Sequence, residues 1–162
     1  MNCPACGAPM RLGSTEDSMT CAYCHSVYFP EKNDDGVRVL GAAEGESCPV
    51  CAIGLQEAAL ERVRLRYCPR CRGMVVPMDS FADLIDAVRA RREGAIPAAP
   101  QTANDEELKR RLACPHCHQP LTMDYYAGAN HVVIGSCERC ALDWVDHGKL
   151  EQIALGVDVF RD

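Results

Sequence analysis

The chain has 162 residues, a formal charge of −6, and 12 cysteines against only 3 Phe and 1 Trp. So few aromatics exclude one large apolar core, and pieces of about 45 residues bury too little surface to fold without a metal, disulfides or a partner. No apolar run approaches the roughly 18 residues needed to cross a bilayer. Residues 1–13 lack the basic and apolar regions of a secretory leader, so a soluble, cytoplasmic protein is expected.

In a reducing compartment, paired cysteines read as metal ligands or redox thiols before disulfides. Every cysteine here falls in a CxxC pair, and the pairs form three couples with none left over. The first module, residues 1–44, holds Cys3, Cys6, Cys21 and Cys24, its two pairs separated by positions 7–20. Residues 31–46 read as an acidic, glycine-bearing connector in which Val37, Val39 and Leu40 can form a strand against the first module.

The second module, residues 45–94, holds Cys48, Cys51, Cys68 and Cys71, its pairs separated by positions 52–67. Between them Val63, Leu65 and Tyr67 alternate with Arg62, Arg64 and Arg66, the pattern of a half-buried strand. Ser80 followed by Asp83 resembles a capping box. Phe81, Leu84, Ile85 and Val88 then recur at helical spacing until Arg89, Arg91, Arg92 and Gly94 close a helix of about three turns.

Residues 95–107 read as an Ala/Pro linker, with a helical turn or two over 105–112. The third module, residues 108–162, holds Cys114, Cys117, Cys137 and Cys140, its pairs separated by positions 118–136. Gly128 and Asn130 mark a turn before a return strand through His131, Val132, Val133 and Ile134, and Leu150, Ile153 and Ala154 line a closing helix that stops at Gly156. Connectors of this kind predict modules that move relative to one another.

Two cysteines in a tight CxxC turn put both sulfurs on one side of the backbone, and a hairpin brings the second pair opposite. The expected result is a tetrahedral thiolate cage with metal–sulfur distances of about 2.3 Å. All twelve cysteines are therefore read as ligands of three structural Zn²⁺ ions per chain. Binding of roughly 10–16 kcal/mol per site would be the main folding term. The expected fold is a small metal-stabilised α+β chain of three tandem zinc ribbons, β-hairpins with CxxC knuckles, with helices after ribbons two and three. Gly7 and Gly73 sit just after metal turns, where a positive φ suits glycine, while Ala52, His118 and Ala141 must manage the same position differently.

Ribbon three continues past its cysteines with Trp144, Asp146, Gly148 and Leu150. That stretch resembles the Trp-x-Asp-x-Gly-x-Leu opening of a helix in the bacterial zinc-finger family named after the ribbon of transcription factor IIB. Ribbon two aligns without a gap but carries Val75, Pro77, Asp79 and Phe81 there, and ribbon one matches the metal pattern alone. The resemblance implies a zinc-loaded ribbon fold and no particular activity.

Closed four-thiolate sites leave no position for a reactive water, and no nucleophilic triad, phosphate-cradling loop or dinucleotide fingerprint is present. The chain is read as non-enzymatic, with no small-molecule substrate. His25, His116 and His118 neighbour ligands without replacing them. Arg62, Arg64, Arg66, Arg70 and Arg72 form the candidate partner-binding surface, because residues 45–94 alone carry eight Lys and Arg against seven Asp and Glu. Three zinc–thiolate sites at two negative charges each would take the total to roughly −12, which disfavours nucleic acid and favours a protein partner. Trp144 is expected to cover the third site and pack on the following helix. The alternative class is redox: a thiol/zinc switch, or a rubredoxin-like iron electron carrier.

Overall fold

The computed structural model describes residues 1–92, 94, 105–126 and 132–156. Short alternating segments pinned by cysteines form strands, and the strands collect into two sheets. Ribbon one is a three-stranded antiparallel sheet of β1 (Met10–Leu12), β2 (Met19–Cys21) and β3 (Val27–Tyr28), in that order. The second sheet has seven strands. They are β4 (Arg38–Ser47), β5 (Gly54–Leu60), β6 (Val63–Tyr67), β7 (Met74–Pro77), β8 (Thr122–Tyr125), β9 (Val133–Cys137) and β10 (Leu142–Val145), arranged β4-β5-β6-β7-β10-β9-β8.

Ribbons two and three are therefore one body, joined by hydrogen bonds between β7 and β10. The register sets Val75 against Trp144 and Val76 against Asp143. Val75 and Trp144 are equivalent positions of the two ribbons, so their direct pairing places an approximate two-fold axis at the join. One side of that axis reads β5-β6-β7 and the other β8-β9-β10. A helix follows each innermost strand, α1 (Met78–Arg91) and α3 (Lys149–Leu155), and the two helices pack together.

Alternation along the strands divides the sheet into two faces. Leu65, Tyr67, Met74, Val76, Ile134 and Val145 bury one face against Phe81, Leu84, Ile85 and Val88 of α1 and Leu150, Ile153 and Ala154 of α3. The other face carries Leu55, Val75, Leu121 and Trp144 among the cysteines of both sites. Tyr126 stacks on Phe81 with ring centroids 5.2 Å apart.

Four expectations change. The strand expected in the connector at residues 31–46 forms, but it belongs to ribbon two: β4 pairs with β5 at that ribbon's edge, crossing the expected boundary between residues 44 and 45. Burial of Val37, Leu40 and Ala43 drives this, and Leu40 with Ala59 also receives Met19 of ribbon one. The capping box is not formed. α1 begins at Met78, one residue after β7 ends, its Pro77 cap makes no side-chain bond, and Ser80 Oγ donates to Asp79 Oδ1 instead. Ribbon three supplies the missing cap, since the Met78 N–H donates to the Ala141 carbonyl at 2.9 Å. α1 is also a turn longer than expected, because it starts at Met78, ahead of the expected cap at Ser80, and closes at the expected Arg91. Finally, the modules do not move as three bodies where β7 meets β10.

The helix after ribbon three forms as expected, with Gly156 at its end. A single turn, α2 (Asp105–Leu108), falls inside the expected stretch. Gly128, Asn130, His131 and most of the Ala/Pro linker lie outside the described residues. No helix among the described residues is long and apolar enough to cross a membrane.

Candidate metal centres

All six CxxC turns share one backbone form. The residue after each second cysteine has a positive φ: Gly7 77°, His25 60°, Ala52 59°, Arg72 63°, His118 62° and Ala141 53°. This corrects two expectations. Ala52, His118 and Ala141 adopt the left-handed conformation like the rest, and in ribbon two it is Arg72, not Gly73, that does so. In five of the six turns that residue's N–H donates to the carbonyl of the first cysteine, at 2.8–3.1 Å. The left-handed strain of L-residues is held by this closed turn.

The turn also aims backbone donors at sulfur. The N–H groups of Tyr23 and Cys24 lie 3.4 Å from Cys21 Sγ, and those of Val50 and Cys51 lie 3.4 and 3.3 Å from Cys48 Sγ. Such donors favour thiolate over thiol, although at Cys48 burial outweighs them and pushes the pKa up. At Cys117 the backbone N–H of Gln119 outweighs burial and holds the pKa down at about 7. At Cys3 the Ser26 hydroxyl, 3.3 Å away, does most to bring it to about 6.

Each hairpin gathers its four sulfurs, Cys3/Cys6/Cys21/Cys24, Cys48/Cys51/Cys68/Cys71 and Cys114/Cys117/Cys137/Cys140, within 4.8 Å of one another. Cross-hairpin sulfur distances are 3.7 Å for Cys3–Cys24, 3.5 Å for Cys6–Cys21, 3.6 Å for Cys48–Cys71 and 3.7 Å for Cys117–Cys137. Disulfide sulfurs stand about 2.05 Å apart. Four sulfurs about 2.3 Å from a common ion stand about 3.8 Å apart, so the spacing fits a metal-centred tetrahedron. Residues 47–86 match the family model of the transcription factor zinc-finger. The zinc-finger match covers ribbon two from just before its first cysteine to the middle of α1, and suggests zinc as the ion. No curated protein and no solved structure matched the chain.

The three sites differ in cover. In ribbon one Cys6 and Cys24 are exposed, whereas in ribbons two and three the outer cysteines are half-buried. Trp144 accounts for part of that difference: it lies among the cysteines of the third site as expected, but not against the following helix. It lies on the metal face of the sheet, away from α3, and reaches across the join into ribbon two. A Cβ at Gly73 would sit 2.4 Å from Trp144 Cη2 and 3.4 Å from Cys71 Sγ, so the missing side chain there makes room for the indole.

Asp146 holds the indole from the other end. It accepts from Trp144 Nε1 at 3.3 Å, from Arg110 Nη1 at 2.8 Å, and lies 3.0 Å from the buried Lys149 ammonium. Lys149 also donates to the Val133 carbonyl at 2.7 Å and approaches Glu107 at 3.3 Å. Burial raises the Asp146 pKa, but the Arg110 and Lys149 bonds reverse this and hold it below the usual carboxylate range. Gly148, with φ 83°, then turns the chain into α3.

The five arginines are not one surface. Arg64 donates to the carbonyls of Glu16 at 2.9 Å, Thr15 at 3.2 Å and Gly13 at 3.4 Å, clamping a turn of ribbon one to β6. Arg66 pairs with Glu46 at 3.1 Å and Glu57 at 3.3 Å. Arg72 forms a forked pair with Asp35, which also accepts from Tyr67 OH at 2.7 Å. Arg62 and Arg70 are exposed and make no ion pair among the described residues. Alternation showed which residues face away from the core, but not that the opposing ground is chain from ribbon one and the connector.

His116 Nδ1 lies 3.3 Å from Glu46, and no histidine joins a four-cysteine group among the described residues. Large apolar side chains are exposed mainly on ribbon one, including Tyr23 at 80%, Val27 at 57% and Phe29 at 48%. Ribbon one has no helix of its own to cover them.

Proposed function

We propose that the chain is a non-enzymatic zinc-ribbon protein whose three ribbons hold a fixed surface for a protein partner in the cytoplasm. The observation that carries this reading is the closure of all three sites by four sulfurs at tetrahedral spacing. Such a site has no open coordination position for substrate or water. When bound, zinc supplies rigidity, and the residues on the outside of the hairpins supply recognition.

The preferred contact surface is the outer side of ribbon one, with Arg70 of ribbon two as a second contact. Val27 and Phe29 are exposed there, with Tyr23 at the knuckle, and Arg70 is an exposed cation of the ribbon-two knuckle with no ion pair among the described residues. Exposed aromatics and Arg are the residue types that anchor protein interfaces. Native mass spectrometry with elemental analysis should find three zinc ions per chain. Pull-downs from extract are then expected to lose the specific partner with Val27→Asp/Phe29→Asp and to weaken with Arg70→Glu. Partners recovered equally by wild type and both variants, all zinc-loaded, would sink this surface.

The exposure of Cys6 and Cys24 favours a second reading, a thiol/zinc switch in ribbon one. Two thiolates would give two electrons to a peroxide, form one disulfide and release the ion. Mild peroxide releasing one zinc per chain, reversibly with reductant, supports it. Retention of all three counts against it, and a red protein with bound iron would replace zinc altogether.

A further inference from the structure

Glu61 and Arg62 form the two-residue turn between β5 and β6, flanked by the Leu60–Val63 pair, and both have positive φ, 46° and 66°. A turn of that kind is normally made by Asn-Gly, because L-residues with long side chains resist the left-handed region at both positions. Arg62 lines a cavity of about 250 Å³ between ribbon one and the sheet, with Asp17, Lys32, Arg38 and Glu61.

The charges in this cavity are unbalanced. Asp17 is 3.8 Å from Arg38, and Glu61 accepts from Arg91 at 2.8 Å. Arg91 is not among the residues that line the cavity, and its bond leaves Glu61 with a partner outside it. Lys32 and Arg62 are left without an ion pair among the described residues. Three cations, Lys32, Arg38 and Arg62, thus line the cavity with two acids that both have other partners, in a chain whose formal charge is −6.

We propose that this cavity binds a phosphate monoester group, with Arg62 and Lys32 as its two charged contacts. A monoester carries close to two negative charges at neutral pH and matches two unpaired cations, where a carboxylate matches one. A phosphodiester within a nucleic-acid strand carries one charge, and so matches only one of the two cations. The planar Arg62 fork and the rotatable Lys32 ammonium line the same cavity, which is what two-sided contact with one PO₃ group requires. The source is either a free small phosphate or a phosphorylated side chain.

The test uses the zinc-loaded full chain titrated with inorganic phosphate and, separately, with O-phosphoserine. Ionic strength is held constant with chloride, and amide NMR shifts are followed. Saturable shifts are expected around Lys32 and Arg62, and binding at least about tenfold weaker in Arg62→Gly and in Lys32→Gln. Arg62→Gly suits the left-handed turn, so its thermal midpoint should hold or rise while binding is lost, which separates the site from the fold. Tighter binding of phosphoserine assigns a phosphorylated side chain, and tighter binding of inorganic phosphate a free one. Shifts no larger than those of matched chloride, or wild-type binding by Arg62→Gly, overturn the proposal.

Discussion

Gly73 and Trp144 show how one missing methyl group sets the geometry between two metal sites. Because a Cβ at position 73 would overlap the indole at 2.4 Å and find Cys71 Sγ at 3.4 Å behind it, Gly73→Ala must push Trp144 off the join. Overpacking of this kind costs about 1–3 kcal/mol, and should appear as a lower thermal midpoint with red-shifted tryptophan emission. Unchanged emission and stability would mean the indole does not rest on that knuckle. Asp143 is the opposite case, a carboxylate buried in mid-sheet with the Ser136 hydroxyl donating to it at 2.7 Å. Burial raises its pKa above the ordinary value in spite of that bond. The folded state therefore holds this proton more tightly than the unfolded chain does. Its contribution to stability falls as pH rises from the unfolded value near 4 through the raised folded one. Asp143→Asn keeps an oxygen for Ser136 and removes the charge, so it should stabilise the zinc-loaded protein at pH 7 by on the order of 1 kcal/mol and remove that part of the pH slope. A loss of stability would show the carboxylate to be compensated.

Among the elements, what could be read from the sequence was whatever depends on local spacing. The six knuckles follow from CxxC, α1 from the period of Phe81, Leu84, Ile85 and Val88, and β6 from its alternation of Val63, Leu65 and Tyr67 with arginines. What could not be read was how elements meet. The capping expectation at Ser80 failed because ribbon three caps α1 through Ala141, and no local pattern announces a carbonyl supplied by a different ribbon. The connector strand and its contact with ribbon one were legible in Val37, Val39 and Leu40, but its pairing with β5 is a non-local gain that they do not announce. Arg72 looked free for the same reason, since its partner Asp35 lies in a loop that reads as linker. That loop is tied to the ribbon-two knuckle through one carboxylate. Burial raises the Asp35 pKa, but the Arg72 and Tyr67 bonds reverse this and hold it below its ordinary value. Asp35→Ala should leave Tyr67 OH, whose own pKa burial and Asp35 push up to about 12, and Arg72 without their acceptor. The loss of hydrogen bonds to a charged group is worth about 1.5–3 kcal/mol. It should be accompanied by faster amide exchange in residues 33–40 than in α1. Equal exchange change throughout the chain would indicate a general destabilisation instead of a released loop.

At the scale of the whole molecule, the three metal sites belong to two cooperative units. Sites two and three line one face of one sheet and share one apolar cluster, into which Trp144 of ribbon three projects beside Cys71 of ribbon two. Pairing of β7 with β10 and packing of α1 on α3 close the other face. Removing either of these ions frees strands that the other ribbon needs, so the two should be lost together. Ribbon one has its own three-stranded sheet, two exposed ligands, and a small contact with the rest through Met19, Leu40, Ala59 and the Arg64 clamp. A chelator reaches exposed ligands first, and loss of that ion disturbs few contacts of the larger body. Native mass spectrometry along a chelator titration should therefore show three ions per chain giving way to two, and two to none, with the one-zinc species scarce. Tryptophan emission should stay constant through the first step and change with the second. A prominent one-zinc species, or an emission change accompanying loss of the first ion, would mean that the shared sheet does not couple its two sites, and that the join at β7 and β10 is weaker than its register and buried indole imply.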